Sequence, residues 1–336
     1  MRCVVVAKSL DSPATRYRVV PIVDRLRGRG DDVTVIYDPG ILGQLRMIFL
    51  ASQSDLILIQ RKLLSVSIVK LLARVNTPIV FDHDDAIFLK SSGLHSSTRS
   101  SRYKAIIKMS RLVMAGNEYL RQAAALAGAN AVTVPTSIDV ERYGTFDKEK
   151  SLTLVWIGSK STSRYLEQHR QVLSAIAHRV PSVRLKVIGD FQFNVDGMAV
   201  ECVDWNESLE SQELASAHIG IAPMLDDPWA RGKCALKVIQ YMAAGLPVVS
   251  SDVGANSDVV IDGKTGFLVN SPDSWCDAVE KLVASEELRT SMGAAGRRKV
   301  EEDHSEELVA TRAIHLLDIA RTGKLNTAQG HPSVGS

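Results

Sequence analysis

Short runs rich in Val, Ile and Leu, none longer than one strand needs, alternate along this chain with segments of helical spacing. This alternation constrains the fold more than any other feature. Parallel strands are buried on both faces, so they read as near-continuous apolar runs, and each needs a crossover, usually a helix, before the next. In the first half the runs are residues 3–7, 32–37, 56–60, 79–82, 112–115 and 131–134. Pro135 and Asp139 introduce a turn, and the polar stretch 146–151 interrupts the pattern. A second set follows at 152–157, 184–189, 199–203, 219–222, 247–250 and 266–269. The expectation is an α/β chain of two doubly wound, Rossmann-like domains, residues 1–148 and 149–320. Residues 321–336 mix Gly, Thr, Asn, Pro and Ser without periodicity and read as a disordered tail.

Composition narrows the class. Four cysteines without CxxC spacing argue against a disulfide framework or a cysteine-built zinc site and point to a reducing compartment. The first apolar run ends at Lys8, too short for a signal-peptide core. No run approaches the roughly 20 apolar residues that span a bilayer. The expected location is cytoplasmic. Charge is divided unevenly: residues 1–150 hold 22 Lys and Arg against 14 Asp and Glu, a formal +8, and the rest is −6. A basic first half suits an anionic partner such as a phospholipid surface, a phosphorylated acceptor or nucleic acid. Arg99, Arg102, Lys104, Lys108 and Arg111 lie in a segment with no acid. That segment is either a solvated helix face or a patch facing membrane or phosphate.

In open α/β sheets ligands bind beyond the carboxyl ends of the strands, so the loops there carry the chemistry. The richest is 226–245, where Arg231, Gly232 and Lys233 are expected to open a helix that Gly245 and Pro247 stop. Glycine lets backbone approach a ligand, first-turn N–H groups point outward, and two cations flank them, which together suit a diphosphate. Lys237 lies one turn beyond Lys233, and Gln240 has an amide for a ribose; a solvated rim is the plainer alternative. Gly158, Ser159, Lys160, Ser161 and Thr162 form a second phosphate-like loop, or only a helix cap. Asp190 either flanks a nucleobase or caps a turn. In the first half, Asp82-His83-Asp84-Asp85 is the densest titratable cluster. It reads as a divalent-metal DxD, as a site that binds sugar and handles protons, or as a cap with salt bridges. Crowded carboxylates also require a nearby cation. Ser12, Arg16 and Arg18 can contact an anionic acceptor, or Arg16 can pair with Asp84 or Asp85. The first turn lacks GxGxxG, and no P-loop, GxSxG or HExxH occurs.

These residues carry a likeness. Lys237-Val-Ile-Gln240-Tyr-Met242-Ala-Ala-Gly245-Leu-Pro247, then Ser251-Asp-Val-Gly254, Asp262-Gly263-Lys264-Thr265-Gly266-Phe267, Met292-Gly293 and Gly296-Arg297 follow one another in the order and spacing of a known family. The first half adds Ser12-Pro13, Arg16-Tyr17-Arg18, Phe81 to Ala86 and Asn117 to Leu120. The chain resembles GT-B glycosyltransferases of the retaining family 4 type over about residues 1–320. The resemblance implies two Rossmann-like domains facing a cleft. The second would bind a UDP- or GDP-sugar co-substrate through Gly158, Ser159, Lys160, Asp190, Arg231, Gly232, Lys233, Cys234, Ala235, Lys237 and Gln240. The first would hold the acceptor through Ser12, Arg16 and Arg18. His83, Asp84, Asp85 and Lys233 are the expected catalytic groups, with no metal and no tightly bound cofactor.

The implied activity is transfer of a sugar to a glycolipid or polysaccharide precursor, without nucleic acid, in peripheral contact with an anionic inner membrane face. Two departures stand out. The family's pair of glutamates falls at Gly232 and Gln240, and its Gly-Arg then Lys signature is replaced by Gly158-Ser159-Lys160 with Arg164. A sugar-nucleotide 2-epimerase of related fold and a non-catalytic nucleotide-sugar-binding protein are the alternatives.

Overall fold

A computed structural model of the chain describes residues 1–75, 77–144 and 146–323. It contains two six-stranded sheets, and every pairing between their strands is parallel. The first comprises β1 (Arg2–Ala7), β2 (Asp32–Tyr37), β3 (Leu56–Gln60), β4 (Ile79–His83), β5 (Leu112–Ala115) and β6 (Ala131–Thr133), in the order β2-β1-β3-β4-β5-β6. The second comprises β7 (Thr153–Ile157), β8 (Arg184–Ile188), β9 (Ala199–Val203), β10 (Ile219–Ala222), β11 (Val248–Ser251) and β12 (Gly266–Val269), in the order β12-β11-β10-β7-β8-β9. All twelve runs read from the sequence are strands, to within one residue at each end.

In the first sheet, side chains alternate between two cores as the pleat requires. Leu56, Leu58 and Val80 pack with Val19, Ile22 and Leu26 from the helix side preceding β2. Ile57, Ile59 and Phe81 pack on the other face with Met47, Val69, Leu72 and Ile106. The second sheet is covered likewise, with Trp156, Leu185, Ile219 and Val249 gathered against Leu173, Trp275 and Val279.

Each strand order reverses once, and such reversals open the ligand crevice of doubly wound sheets. In the first sheet the reversal lies between β1 and β3, in the second between β7 and β10. The loops that follow those strands are therefore where site residues collect.

Contacts divide the chain after Val134 instead of near residue 148, and Val309 onward returns to the first unit. Local bonds explain both shifts. His304 Nδ1 lies 2.9 Å from the Thr136 carbonyl, and Arg297 donates to the Tyr143 carbonyl, so residues just past Pro135 are held by the second unit. Val309, Ala313, Leu317 and Ala320 of the helix Glu306–Thr322 are buried with Cys3, Val5 and Leu112 in the first. Arg321 and Thr322, expected in the tail, finish that helix, and residues 324–336 lie outside the described residues.

Candidate functional site

The second unit concentrates its candidates at the β7/β10 reversal. β7 ends at Ile157, and its loop turns at Gly158, whose N–H donates to the Ile188 carbonyl at 3.0 Å. A side chain there has no room. A Cβ on Gly158 would meet the Lys237 amine, the Trp156 ring at 2.6 Å and Thr162 Oγ1 at 2.7 Å. Gly189, after β8, backs directly onto the Gly158 carbonyl. Asp190 Oδ1 accepts from the Lys160 N–H at 2.9 Å and ties the two loops together. Ser159 also folds its own loop, since its carbonyl accepts from the Thr162 hydroxyl at 3.0 Å.

The loop after β10 differs from expectation. Asp227 caps a short helix, Pro228–Arg231, by accepting from the Ala230 N–H at 2.8 Å, with Pro228 at its first position. Gly232 and Lys233 close that helix through their N–H groups, bonded to the Trp229 and Ala230 carbonyls. The long helix, Leu236–Ala243, starts only after Ala235, which is left-handed at φ 54°. A non-glycine residue held there stores strain of about 1–3 kcal/mol, a common property of functional loops. No side chain caps this helix start. Lys233 therefore lies in the strained connection and not at a helix mouth, and Arg231 is exposed in a bidentate pair with Asp226 at 2.6 and 2.8 Å.

Lys237 occupies the centre of this group. Its amine is 3.6 Å from the centroid of the Trp156 ring and donates to Thr162 Oγ1 at 3.3 Å. Among the described residues no carboxylate lies within ion-pair reach of it. Burial, with the charge of Lys233 added, pushes its pKa well below the usual lysine value. Gln240 faces elsewhere. It is buried, and its amide donates to Glu210 Oε1 at 2.8 Å. The same carboxyl group accepts from Tyr143 Oη and Trp205 Nε1, both at 2.7 Å. This internal bond engages part of the amide expected to meet a ribose.

Two features of the helix Leu236–Ala243 went unread in the sequence. Tyr241 Oη joins β7 to β10 by accepting from the Ile157 N–H at 3.0 Å and donating to the Ile221 carbonyl at 3.2 Å, against Gly220. Arg297 donates to the Ala243 carbonyl at 2.9 Å and so caps the helix end, which gives the Gly296-Arg297 signature a structural role.

The first unit divides its acidic cluster between two arginines. Asp82 receives both Arg18 Nη2, at 2.6 Å, and Arg18 Nε, at 3.0 Å, and Arg18 also donates to the Val134 carbonyl at 2.9 Å. Both side chains are 3% exposed, so this end of the expected acceptor set is sealed inside the unit. Arg61 supplies the cation that the other acids require. It pairs with Asp84 at 3.4 Å and with Asp85. The sequence reading missed Arg61; its position directly after β3, beside the sheet's reversal, was the available signal. Its left-handed φ of 56° aims it. Ser12 precedes the helix Pro13–Arg18, and Arg16 lies on that helix. Among the described residues, no group of three or more His, Cys, Asp or Glu side chains is placed to hold a metal ion.

His83, expected among the catalytic groups, is buried in the first unit. It has no exposure; Nδ1 lies 3.3 Å from the Asp85 carbonyl and Nε2 3.4 Å from Tyr103 Oη. Burial pushes its pKa from 6.5 down to about 4. The unfolded chain therefore takes up this proton first. The stability tied to neutral His83 is complete above pH 6.5 and drains away as pH falls through about 4, by about 3 kcal/mol in all. Urea melts of the wild type and His83→Asn between these pH values should show that slope in the former and its loss in the latter. Parallel slopes would remove His83 as the source.

With this geometry in view, similarity can be assigned. Residues 148–285 match the family model described as glycosyl transferases group 1. Over 73 residues the chain is 34% identical to the capsular polysaccharide biosynthesis glycosyltransferase CapM of Staphylococcus aureus, which covers 21% of this chain and 19% of that protein. Over 222 residues it is 26% identical to the phosphatidyl-myo-inositol mannosyltransferase of Mycobacterium leprae, with 58% and 55% covered. The chain thus spans from about a fifth to about half the length of these curated relatives. Among solved structures, Anabaena HepE in complex with UDP matches with a TM-score of 0.70 over 95% of this chain and 100% of that one, at 14% identity, a likeness of fold. With its two doubly wound sheets, the chain is a GT-B fold protein that carries a glycosyl transferases group 1 domain over residues 148–285.

Proposed function

We propose that this chain is a glycosyltransferase that moves a sugar, with retention, from a UDP- or GDP-sugar to a glycolipid or polysaccharide-precursor acceptor in peripheral contact with an anionic membrane. The observation that carries the reading is Lys237. An amine set against an indole, beside a glycine and without a carboxylate partner, is costly to keep charged, and such an arrangement is retained where an anion supplies the missing charge. A donor diphosphate is that anion. UDP in the HepE complex and the group 1 match both support the choice.

In this reading the sugar–phosphate bond breaks as negative charge collects on the departing diphosphate. Lys237, Lys233 and the uncapped first-turn N–H groups of Leu236–Ala243 stabilise that charge before reaction begins, the role a divalent cation plays in other transferases. The acceptor hydroxyl attacks from the same face, and its proton passes to the leaving phosphate, so no protein nucleophile is needed. Gly158, Ser159 and Lys160 bring backbone and hydroxyls alongside, and Ser12 and Arg16 of the first unit are assigned to the acceptor.

The test is a thermal-shift panel of nucleoside diphosphates, because a ligand that binds only the native state raises its melting temperature by mass action. One of UDP or GDP should shift it most, and Lys233→Ala should weaken that ligand by about 1.5–3 kcal/mol. No shift with any diphosphate overturns the reading, and an unchanged affinity in the variant removes Lys233 from the site. A second reading, a nucleotide-sugar-binding protein without turnover, is favoured by one observation: neither Gly232 nor Gln240 offers a carboxylate, and Gln240 is tied to Glu210. Incubation with labelled nucleotide sugars decides between them: lipid-linked product supports transfer, isomerised donor an epimerase, and binding alone the second reading.

A further inference from the structure

The helix Ile41–Ala51 is apolar on both sides. Its inner face, Met47 and Ala51, is fully buried in the first unit's core. Its outer face presents Leu42, Leu45 and Phe49, 82%, 53% and 60% exposed, spaced i, i+3, i+7 with Arg46 among them. A helix that is apolar all round normally lies inside a protein. This one is an outer layer, and a contiguous exposed apolar stripe of this kind marks an interaction surface.

Charge identifies the partner. The helix touches Val66–Ala73, which in turn touches Ser97–Met109, and all three pack on the same face of the first sheet. None of them contains Asp or Glu, whereas Arg46, Lys70, Arg99, Arg102, Lys104 and Lys108 are all exposed. The surrounding sequence follows suit: residues 86–117 hold no acid, and residues 39–81 hold only Asp55, whose carboxylate accepts from the Arg2 N–H at 2.7 Å. Leu71 and Met109 extend the exposed apolar area onto the neighbouring helices. A second copy meeting this one through the same face would set cation against cation. An acidic soluble partner would leave Leu42 and Phe49 without a counterpart. An anionic bilayer satisfies both features, since headgroups meet the cations and the interfacial region takes up the apolar side chains.

We propose that the layer formed by these three helices is a membrane-docking surface for anionic phospholipid, with Leu42, Leu45 and Phe49 inserted at headgroup depth. This rests on the peripheral-membrane part of the function proposed above and deepens it by naming the surface and its lipid; it does not depend on the donor site. The full chain is mixed with vesicles of phosphatidylcholine alone or of phosphatidylcholine and phosphatidylglycerol in equal parts, and sedimented. Binding is expected to favour the anionic vesicles and to weaken with added salt.

The variant Leu42→Ser, Leu45→Ser, Phe49→Ser should bind them at least about tenfold less. The variant Arg102→Gln, Lys104→Gln, Lys108→Gln should lose roughly a hundredfold, at about fivefold per charge. All six residues are exposed, and circular dichroism with melting curves checks that both variants fold. Unchanged partition of the serine variant, absence of binding to anionic vesicles, or a dimer that the serine substitutions turn into monomer would overturn the proposal. Nucleotide thermal shifts run on the same preparations separate the two readings. A shift without vesicle binding discards the docking surface alone, and vesicle binding without a shift discards the donor site and leaves the docking surface standing.

Discussion

Arg18→Ala is expected to lower the unfolding free energy by about 3–5 kcal/mol, because it strands the Asp82 carboxylate in the interior of the first unit. The pair is bidentate at 2.6 and 3.0 Å and holds the helix Pro13–Arg18 against the carboxyl end of β4, 64 residues away in sequence. Asp82→Ala should cost a similar amount by removing the carboxylate that neutralises the buried guanidinium. Arg18→Met combined with Asp82→Leu removes both charges and should recover most of the loss, since a buried ion pair is often no more stabilising than packed apolar side chains of similar volume. Denaturant melts of the three variants provide the test. A double variant as unstable as either single one would show that the charges do more than neutralise each other. A single variant as stable as the wild type would show that water or another group reaches the stranded partner.

The second large effect is expected at Gly158. Alanine there must take space now held by the Lys237 amine, the Trp156 ring and Thr162 Oγ1. The stability cost should be about 1–3 kcal/mol, because the amine can swing aside but the buried Trp156 ring must also shift. The functional cost should be larger. If Lys237 holds the diphosphate as proposed, displacing its amine by about an ångström should lower nucleotide affinity and turnover by about a hundredfold. Calorimetric titration with the diphosphate that gives the largest thermal shift measures this. Unchanged affinity in a folded Gly158→Ala protein would mean that the phosphate does not lie beside Lys237.

The strands were legible because a parallel sheet covered on both faces demands local runs of Val, Ile and Leu, and the chain supplies them where Gly, Pro and polar residues punctuate. Side-chain partners were not legible in the same way. Gln240 looked ligand-facing because its position matched a family motif, but its amide is taken by Glu210, 30 residues earlier, a pairing that no local pattern encodes. Arg18 looked like an acceptor contact because it is a cation near the first strand's loop, but its partner Asp82 lies 64 residues away. The short helix Pro228–Arg231 was hidden inside the loop, although Asp227-Pro228 is a cap followed by a helix-opening proline and could have been read. The return of the last helix to the first unit was not legible, because the apolar spacing of Glu306–Thr322 reveals that a helix buries one side, and not which of two cores receives it.

That last helix affects attempts to trade specificity between relatives. Because Val309, Ala313, Leu317 and Ala320 complete the core of the unit that begins at Met1, a chimaera joined once, after Val134, would bring a foreign closing helix onto a native sheet. Exchange of the second unit alone requires two junctions, one after Val134 and one after Leu308, so that the chain's own last helix remains with the surface it evolved to cover.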